Sequence, residues 1–322
     1  MTKQIKFKSN SAQVIFDAAI KKGLKVYIFS KRFNLFEISN GIKSHFVKGT
    51  SFHVNSQPSC IIANNKFLTK KILKKDKIST PKSWLAKSVK EIRNIVDEYN
   101  LFPCVIKPTK GAHGNSVYAN IETKDELEYV LVKLFNGKKR KDYLVEEYIE
   151  GKDYRLLVVG DSVAAAMQRI PAHVVGDGTN TIRQLITQFN QQPQVGQKYE
   201  KPMCKIRLNG EVMRTLKKQK LKLTYIPQKN EVIYLRSNAN ISTGGIGRDV
   251  TEEISPEIRK IAIQATKAIG MKIAGVDIIY DERVNKPYVL EINDQPGIDI
   301  HHYPVSGKSR DVADCIINYF YE

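Results

Sequence analysis

Apolar and polar positions follow two rhythms along the chain, one helical and one extended. From Ser11 to Tyr27 the apolar residues keep helical spacing as far as Gly23 and then run together. This predicts an amphipathic helix, a glycine stop and a short strand, the opening of an α/β unit. A second helix follows Asn64 and Asn65 through "KFLTKKILKKDK"; Pro81 bars its continuation, and "SWLAKS" leads into another helical period, "KEIRNIVDEYN". Residues 103–121 read as strand, glycine loop, strand, and residues 142–170 as apolar runs punctuated by Gly151 and Gly160, antiparallel segments joined by short turns. Between Gly176 and Glu231 the pattern turns polar and helical, with "NQQPQVGQ" and "LKKQKLK", before alternation resumes at "VIYLR"; an inserted subdomain is expected there. The best marked helix, expected to be the last, has Ser255 as N-cap, Pro256 at its first position, Glu257 in its first turn and Gly270 beyond its end. Ile258, Ile261, Ala262, Ala265 and Ile269 form its apolar face.

Composition bounds this picture without choosing a function. The 322 residues, 42% hydrophobic and 26% charged, suffice for a core and more than one lobe. Fifty-two Lys and Arg against 33 Asp and Glu give a formal charge of +19, which favours anionic partners of any kind. Cys60, Cys104, Cys204 and Cys315 form no C-x-x-C pair, so reduced thiols in a cytoplasmic protein are expected rather than a zinc site or disulfide framework. The N-terminus has no continuous apolar segment and no later run approaches the roughly 20 apolar residues of a membrane span, so neither a targeting signal nor a membrane segment is expected.

Three stretches carry candidate chemistry. In "YVLEINDQPGI" an extended backbone puts Glu291 and Asn293 on one face and Leu290 and Ile292 on the other. If residue 281 pairs with 287 across the "ERVNK" loop, Asp277 falls opposite Glu291 and Gly275 opposite Asn293, so Asp277, Glu291 and Asn293 converge with Gly275 leaving room beside them. Two carboxylates and an amide oxygen suit Mg²⁺ completed by phosphate oxygens and water; a surface hairpin with its acids in solvent stays equally open at this point. In "VIKPTKGAHGNS", Lys107 closes an apolar strand, and Gly111 and Gly114 let backbone N–H groups turn toward an anion, although the loop does not fit the Walker pattern and an ordinary hairpin turn accounts for it as well. In "LVEEYIEGKDYR" a strand edge could present backbone groups to a purine and a following carboxylate to a ribose; a half-buried strand with a charged outer face reads the same way.

These segments stand in a familiar order. "NNKFLTKKIL", "VIKPTKGAHGNSV", "VEEYIEGKDYRLLVV", "RIPAHVVGDGTNTIRQLI", "NANISTGG", "AGVDIIYD" and "VLEINDQPGIDIHHYPVSGKSR" together resemble ATP-grasp ligases, most nearly the ATP-grasp half of bifunctional glutamate-cysteine ligase/glutathione synthetase and the equivalent module of cyanophycin synthetase. The likeness covers nearly the whole chain. It implies an α/β (α+β) ATP-grasp fold, two α+β lobes clasping ATP. Residues 1–60 would be a short Rossmann-like pre-ATP-grasp segment, 61–142 a first lobe with the phosphate lid, and 143–322 a second lobe with an insert at about 176–231.

The resemblance further implies that Lys66 and Lys107 hold ATP phosphates and that residues 109–116, including Gly111, His113 and Gly114, form the lid. Glu146, Glu147, Tyr148 and Ile149 would be the adenine hinge, and Asp153 the ribose ligand. Asp277, Glu291 and Asn293 would be magnesium ligands, two ions by the family's pattern, with Mn²⁺ able to substitute. Arg169 and Arg236 would lie near the transferred phosphate or the substrate carboxylate. The chain departs from the pattern in two places: "GAHGNS" lacks the basic residue expected after the second glycine, and Arg248 stands where relatives are uncharged.

The implied reaction joins a carboxylate and an amine, an amino acid or a small or acidic peptide, through an acylphosphate, with release of ADP and phosphate. Glutathione synthetase-like chemistry, cyanophycin synthetase-like chemistry and addition of amino acids to a peptide or protein remain alternatives; a non-catalytic nucleotide-binding module or a basic nucleic-acid binder is the reading of another class. The runs "KKILKKDK", "KKRK" and "LKKQKLK" lack interleaved aromatics, which argues against nucleic acid. His301 and His302, adjacent on what reads as an extended segment, point opposite ways and do not form a metal pair; they would line the substrate pocket or serve structure. A homodimer is allowed.

Overall fold

A computed structural model of the protein describes residues 5–111, 117–135, 142–197, 201 and 203–322. Its contacts divide the chain into two compact units, one made of residues up to Pro81 with Glu150–Gln168 and Asp249–Glu322, the other of Lys82–Ile149 and Arg169–Arg248. No described helix is long and apolar enough to cross a membrane.

The chain opens with helix α1 (Asn10–Lys21), capped by the Ser9 hydroxyl, followed by strands β1 (Lys25–Ser30), β2 (Leu35–Ser39), β3 (Ser44–Lys48) and β4 (Ser51–Phe52). These strands pair antiparallel in sequence order, which corrects the expected Rossmann-like opening. The reason is connection length: residues 31–34, 40–43 and 49–50 are too few for the crossover a parallel pair needs. Helix α2 (Gln57–Ala63), which the sequence pattern did not signal, begins at the Ser56 cap, and α3 (Lys66–Lys75) begins where the Asn65 side chain accepts from the N–H groups of Phe67 and Leu68.

In the second unit "SWLA" is a strand, β5 (Ser83–Ala86), and Ser88 caps α4 (Val89–Glu98). Strands β6 (Cys104–Pro108) and β7 (Tyr118–Ile121), helix α5 (Lys124–Phe135) and β8 (Tyr143–Glu147) complete an antiparallel sheet in the order β5-β8-β6-β7. The chain then returns to the first unit as the hairpin β9 (Lys152–Val159) and β10 (Ser162–Ile170), with Gly160 at positive φ in the turn, before the second unit resumes. Strand β11 (His173–Val175), α6 (Ile182–Gln191), β12 (Val195–Gly196), β13 (Met203–Cys204), α7 (Gly210–Lys218) and β14 (Val232–Tyr234) surround a core of their own that includes Ala172, Ile182, Ile206, Val212 and Leu235.

Strand β15 (Ile246–Asp249) precedes α8 (Pro256–Ala268), whose cap, first-position proline and closing Gly270 are as the sequence predicts, and whose buried residues include Ile258, Ile261, Ala262 and Ala265. It is not the last helix. After β16 (Ile273–Asp281) and β17 (Lys286–Asn293) come a short α9 (Asp299–His302) and α10 (Val312–Tyr321), which buries Val312, Ala313, Ile316, Ile317 and Phe320. A five-stranded sheet runs β15-β10-β9-β16-β17.

The two faces of that sheet have different fates. Leu156, Val158, Ala274, Val276, Ile278, Val289 and Ile292 point into the core under α8. On the other face Leu157, Val159 and Ile273 enter a second core built from α1, α10 and the inner side of the N-terminal sheet. Asn55 fixes this junction: its amide donates to the Ile273 carbonyl at 2.8 Å and accepts from the N–H groups of Lys272 and Ile273. Beyond the apolar part, the same face turns polar.

Candidate functional site

That polar end begins with the pairing of β16 and β17. Asp277 stands opposite Glu291 and Gly275 opposite Asn293, as anticipated, but the loop-side register is not the one assumed: Asp281 pairs with Lys286 and Ile278 with Val289. A β-bulge between Asp277 and Ile278, with Leu290 as the extra residue, restores the offset. The bulge also corrects the face assignment, because Val289 rather than Leu290 joins Ile292 in the core, while Leu290, Glu291 and Asn293 are half-buried. The backbone of Val289 is held from outside the sheet, its N–H donating to the Ser79 carbonyl at 2.8 Å and its carbonyl accepting from the Thr80 hydroxyl at 2.7 Å.

Directly opposed residues share a face, so Asp277, Glu291 and Asn293 are gathered together. The Asn293 amide donates to the Gly275 carbonyl at 3.3 Å, so its nitrogen is engaged and its oxygen is the atom that could serve as a ligand. A side chain at Gly275 would place its Cβ 2.8 Å from the Pro296 Cβ, so the expected room at Gly275 is taken up by Pro296 and by Arg155. Among the described residues no cluster of three His, Cys, Asp or Glu side chains is arranged for a metal. Two carboxylates and one amide oxygen are instead a partial, hard donor set, fit for a magnesium ion whose other ligands are water and phosphate.

Basic residues of the same unit lie on these acids. Lys66, the first residue of α3, places Nζ 3.1 Å from Glu291 Oε2. Arg155, which the sequence reading did not single out, lies opposite Asp277 on β9 and holds its carboxylate with both prongs, Nη2–Oδ2 at 3.0 Å and Nε to Oδ1. Its signal was present in "DYRLLVV": Asp153 and Arg155 alternate onto one face of a strand that is otherwise apolar. Asp153 is half-buried there, opposite Ile279.

Histidines 301 and 302 sit on α9 rather than on an extended segment. His301 is buried, its Nδ1 has no hydrogen-bond partner, and burial, reinforced by the nearby Arg155 charge, pushes its pKa down to about 3. His302 caps α10: its Nε2 accepts from the Ala313 N–H at 3.3 Å, and burial favours the neutral imidazole that can accept. Arg310 clamps Asp249 and Glu252, which ties the segment after α9 to the end of β15.

In the second unit Lys107 and Glu146 are diagonal neighbours on β6 and β8, and their buried side chains pair at 2.9 Å. The Glu147 carboxylate accepts from the Lys82 N–H at 2.8 Å, and the Tyr148 N–H donates to the Pro103 carbonyl at 3.2 Å, so both help anchor the sheet edge; Ile149 follows, half-buried. Gly111 has φ +130°, a conformation that glycine tolerates, whereas His113 and Gly114 lie outside the described residues. Arg169 and Arg236 are both buried, and the Leu235 N–H donates to the Ala172 carbonyl at 2.7 Å, binding their two segments together. Arg236 Nε and the neighbouring Asn238 Oδ1 are buried without hydrogen-bond partners. Burial lowers the Arg236 pKa, an effect that Glu211 partly offsets. Arg248 is half-buried in β15.

Comparison with known proteins gives this arrangement a lineage. The chain is 33% identical over 321 residues to the glutathione biosynthesis bifunctional protein GshAB of Listeria welshimeri, covering 97% of this chain and 41% of that protein. It is 32% identical over 283 residues to the cyanophycin synthetase of Crocosphaera subtropica, covering 86% of this chain and 32% of the other. It thus spans about two fifths of the first relative and a third of the second. Among solved structures, a bifunctional glutathione synthetase from Pasteurella multocida superimposes with a TM-score of 0.69 at 30% identity, over 97% of this chain and 43% of that one. The D-alanine–D-alanine ligase of Bacillus anthracis, at 18% identity and a TM-score of 0.52 over 83% of this chain and 69% of that one, shares the fold. Residues 63–189 and 208–318 match the RimK-like ATP-grasp domain, and the chain belongs to that family.

Proposed function

We propose that the protein is an ATP-dependent carboxylate–amine ligase. The observation that carries this reading is the facing of Asp277 with Glu291 and of Gly275 with Asn293, with Lys66 3.1 Å from Glu291. Magnesium, as two ions or replaced by manganese, would be held by Asp277, Glu291 and Asn293 and would offset charge on the transferring phosphoryl group. Lys66 and Lys107 are the phosphate lysines, Asp153 the ribose ligand, and the backbone at Glu146–Ile149 the purine edge. The buried Arg236, with Asn238 beside it in sequence and Arg169, is suited to a carboxylate or a developing phosphate, because an anion would supply the partner its Nε lacks.

The substrate carboxylate oxygen attacks the γ-phosphorus as the bond to ADP breaks. The amine nitrogen then attacks the acyl carbon, the bond to phosphate breaks, and the amine proton passes to solvent. No side-chain nucleophile is needed; positioning and charge stabilisation do the work. Glutathione synthetase-like action on a small γ-glutamyl peptide is the first substrate class. The net charge of +19 supports a second, addition of an amino acid to an acidic peptide or polyamide.

Phosphate release with ATP, Mg²⁺ and panels of amino acids, γ-glutamyl peptides and acidic peptides tests the proposal. Turnover that depends on both a carboxylate and an amine supports it; tight ATP binding with silence across the panel would leave a nucleotide-binding module instead.

A further inference from the structure

We propose that Arg155 and Lys66 occupy the two cation-binding carboxylates, Asp277 and Glu291, so that these reject a bare divalent cation and accept one only in company with an anion such as a nucleotide's phosphates. This inference rests on the ligase reading above for the identity of the cation ligands.

Each carboxylate of the set already holds a base. Arg155 grips Asp277 through two prongs, with side chains 13% and 7% exposed, and Lys66 sits on Glu291 with side chains 12% and 25% exposed. The Arg155 pairing is built into the fold: β9 places it directly opposite Asp277, and its guanidinium passes beside the bare Cα of Gly275, where a Cβ would lie 3.4 Å from Nη1. His301, the buried imidazole near Arg155, is uncharged at neutral pH and offers no alternative counter-ion. Within each of these two pairs one acid is matched by one base.

A bare dication taking up these carboxylates competes with both bases, and any base it displaces is left as a poorly solvated positive group beside two more positive charges. A cation that arrives bound to a polyphosphate avoids this, because each base released from a carboxylate finds a phosphate oxygen as the carboxylate takes up the metal. Arginine's planar fork suits such a handover, as phosphate and carboxylate both accept two parallel hydrogen bonds. Arg155 is therefore a positioning residue: it orients Asp277 and makes cation binding conditional on the anion.

The test measures Mn²⁺ bound to the full chain without nucleotide, by the loss of the free-ion electron paramagnetic resonance signal, and Mg-ATP binding by calorimetry. Arg155→Gln should tighten bare Mn²⁺ binding by about tenfold or more while weakening Mg-ATP. Asp277→Asn added to it should cancel the gain. Lys66→Met probes the same claim from a different element, with the same pair of opposite shifts, and serves if Arg155→Gln does not fold. A merely structural role would weaken both ligands together. Wild type binding bare Mn²⁺ as tightly as the variants, or variants that lose affinity for both, overturns the inference. If the wild type binds no Mg-ATP, the ligase reading falls; if it binds Mg-ATP and the variants gain no bare-cation affinity, only this inference falls.

Discussion

Asp277 and Glu291 face each other across β16 and β17 because one extra residue, Leu290, is looped into the strand between the turn and the site. The pairs nearer the turn run one residue out of step with those at the acids. A bulge is a common way to re-aim side chains at a functional end of a sheet, and here it sets which groups meet.

Glu291→Ala removes one of the two carboxylates and the partner of Lys66. Turnover should fall by about 10²-fold or more, in the range seen when one charge-stabilising group is lost. Glu291 is only partly buried, so the circular dichroism spectrum and melting temperature should stay close to wild type. A variant of near-normal activity would remove Glu291 from the site.

Gly275→Ala puts a methyl group 2.8 Å from Pro296 Cβ and 3.4 Å from Arg155 Nη1. The Pro296 turn and the Arg155 fork must both yield, at a cost of about 1–3 kcal/mol. Calorimetry should show weaker Mg-ATP binding together with a lower melting temperature, and unchanged values of both would show that the close approach is not needed.

Arg236→Met should separate stability from activity. Replacing a buried guanidinium whose Nε lacks a partner by an apolar chain of similar length should be neutral or stabilising by about 1 kcal/mol, because the cost of burying the charge disappears. Activity should drop by at least about 10²-fold if the arginine meets the substrate carboxylate or the phosphoryl group. A melt paired with phosphate-release kinetics reads both, and a destabilised variant of full activity contradicts the assignment.

His301 sets a pH dependence. In the unfolded chain it titrates near 6.5, whereas burial holds it near 3 in the fold, so below pH 6.5 the unfolded state takes up a proton the native state refuses. Stability present at neutral pH is therefore lost as pH falls through this window, by roughly 3 kcal/mol at pH 4. Urea unfolding between pH 7 and pH 4 should show a shallower loss for His301→Leu than for wild type; parallel curves would mean that His301 is not held neutral by burial.

The sequence by itself determined what depends on near neighbours. The cap, proline and apolar stripe of α8, the glycine-punctuated strands within 103–121 and 142–170 and the alternation that puts Glu291 with Asn293 are local statements, fixed by backbone sterics and by which side of an element must leave water. The motif order carried the family for the same reason, since each motif is a short stretch with its own chemistry. Tertiary structure decided the rest. Connection length made the N-terminal strands an antiparallel meander, and the bulge at Leu290 reset the register, because pairing is settled by competing long-range packing rather than by strand pattern. Arg155 became visible only when β9 was seen beside β16: an ion pair between residues 122 apart is a fact of sheet order, which no local rhythm encodes.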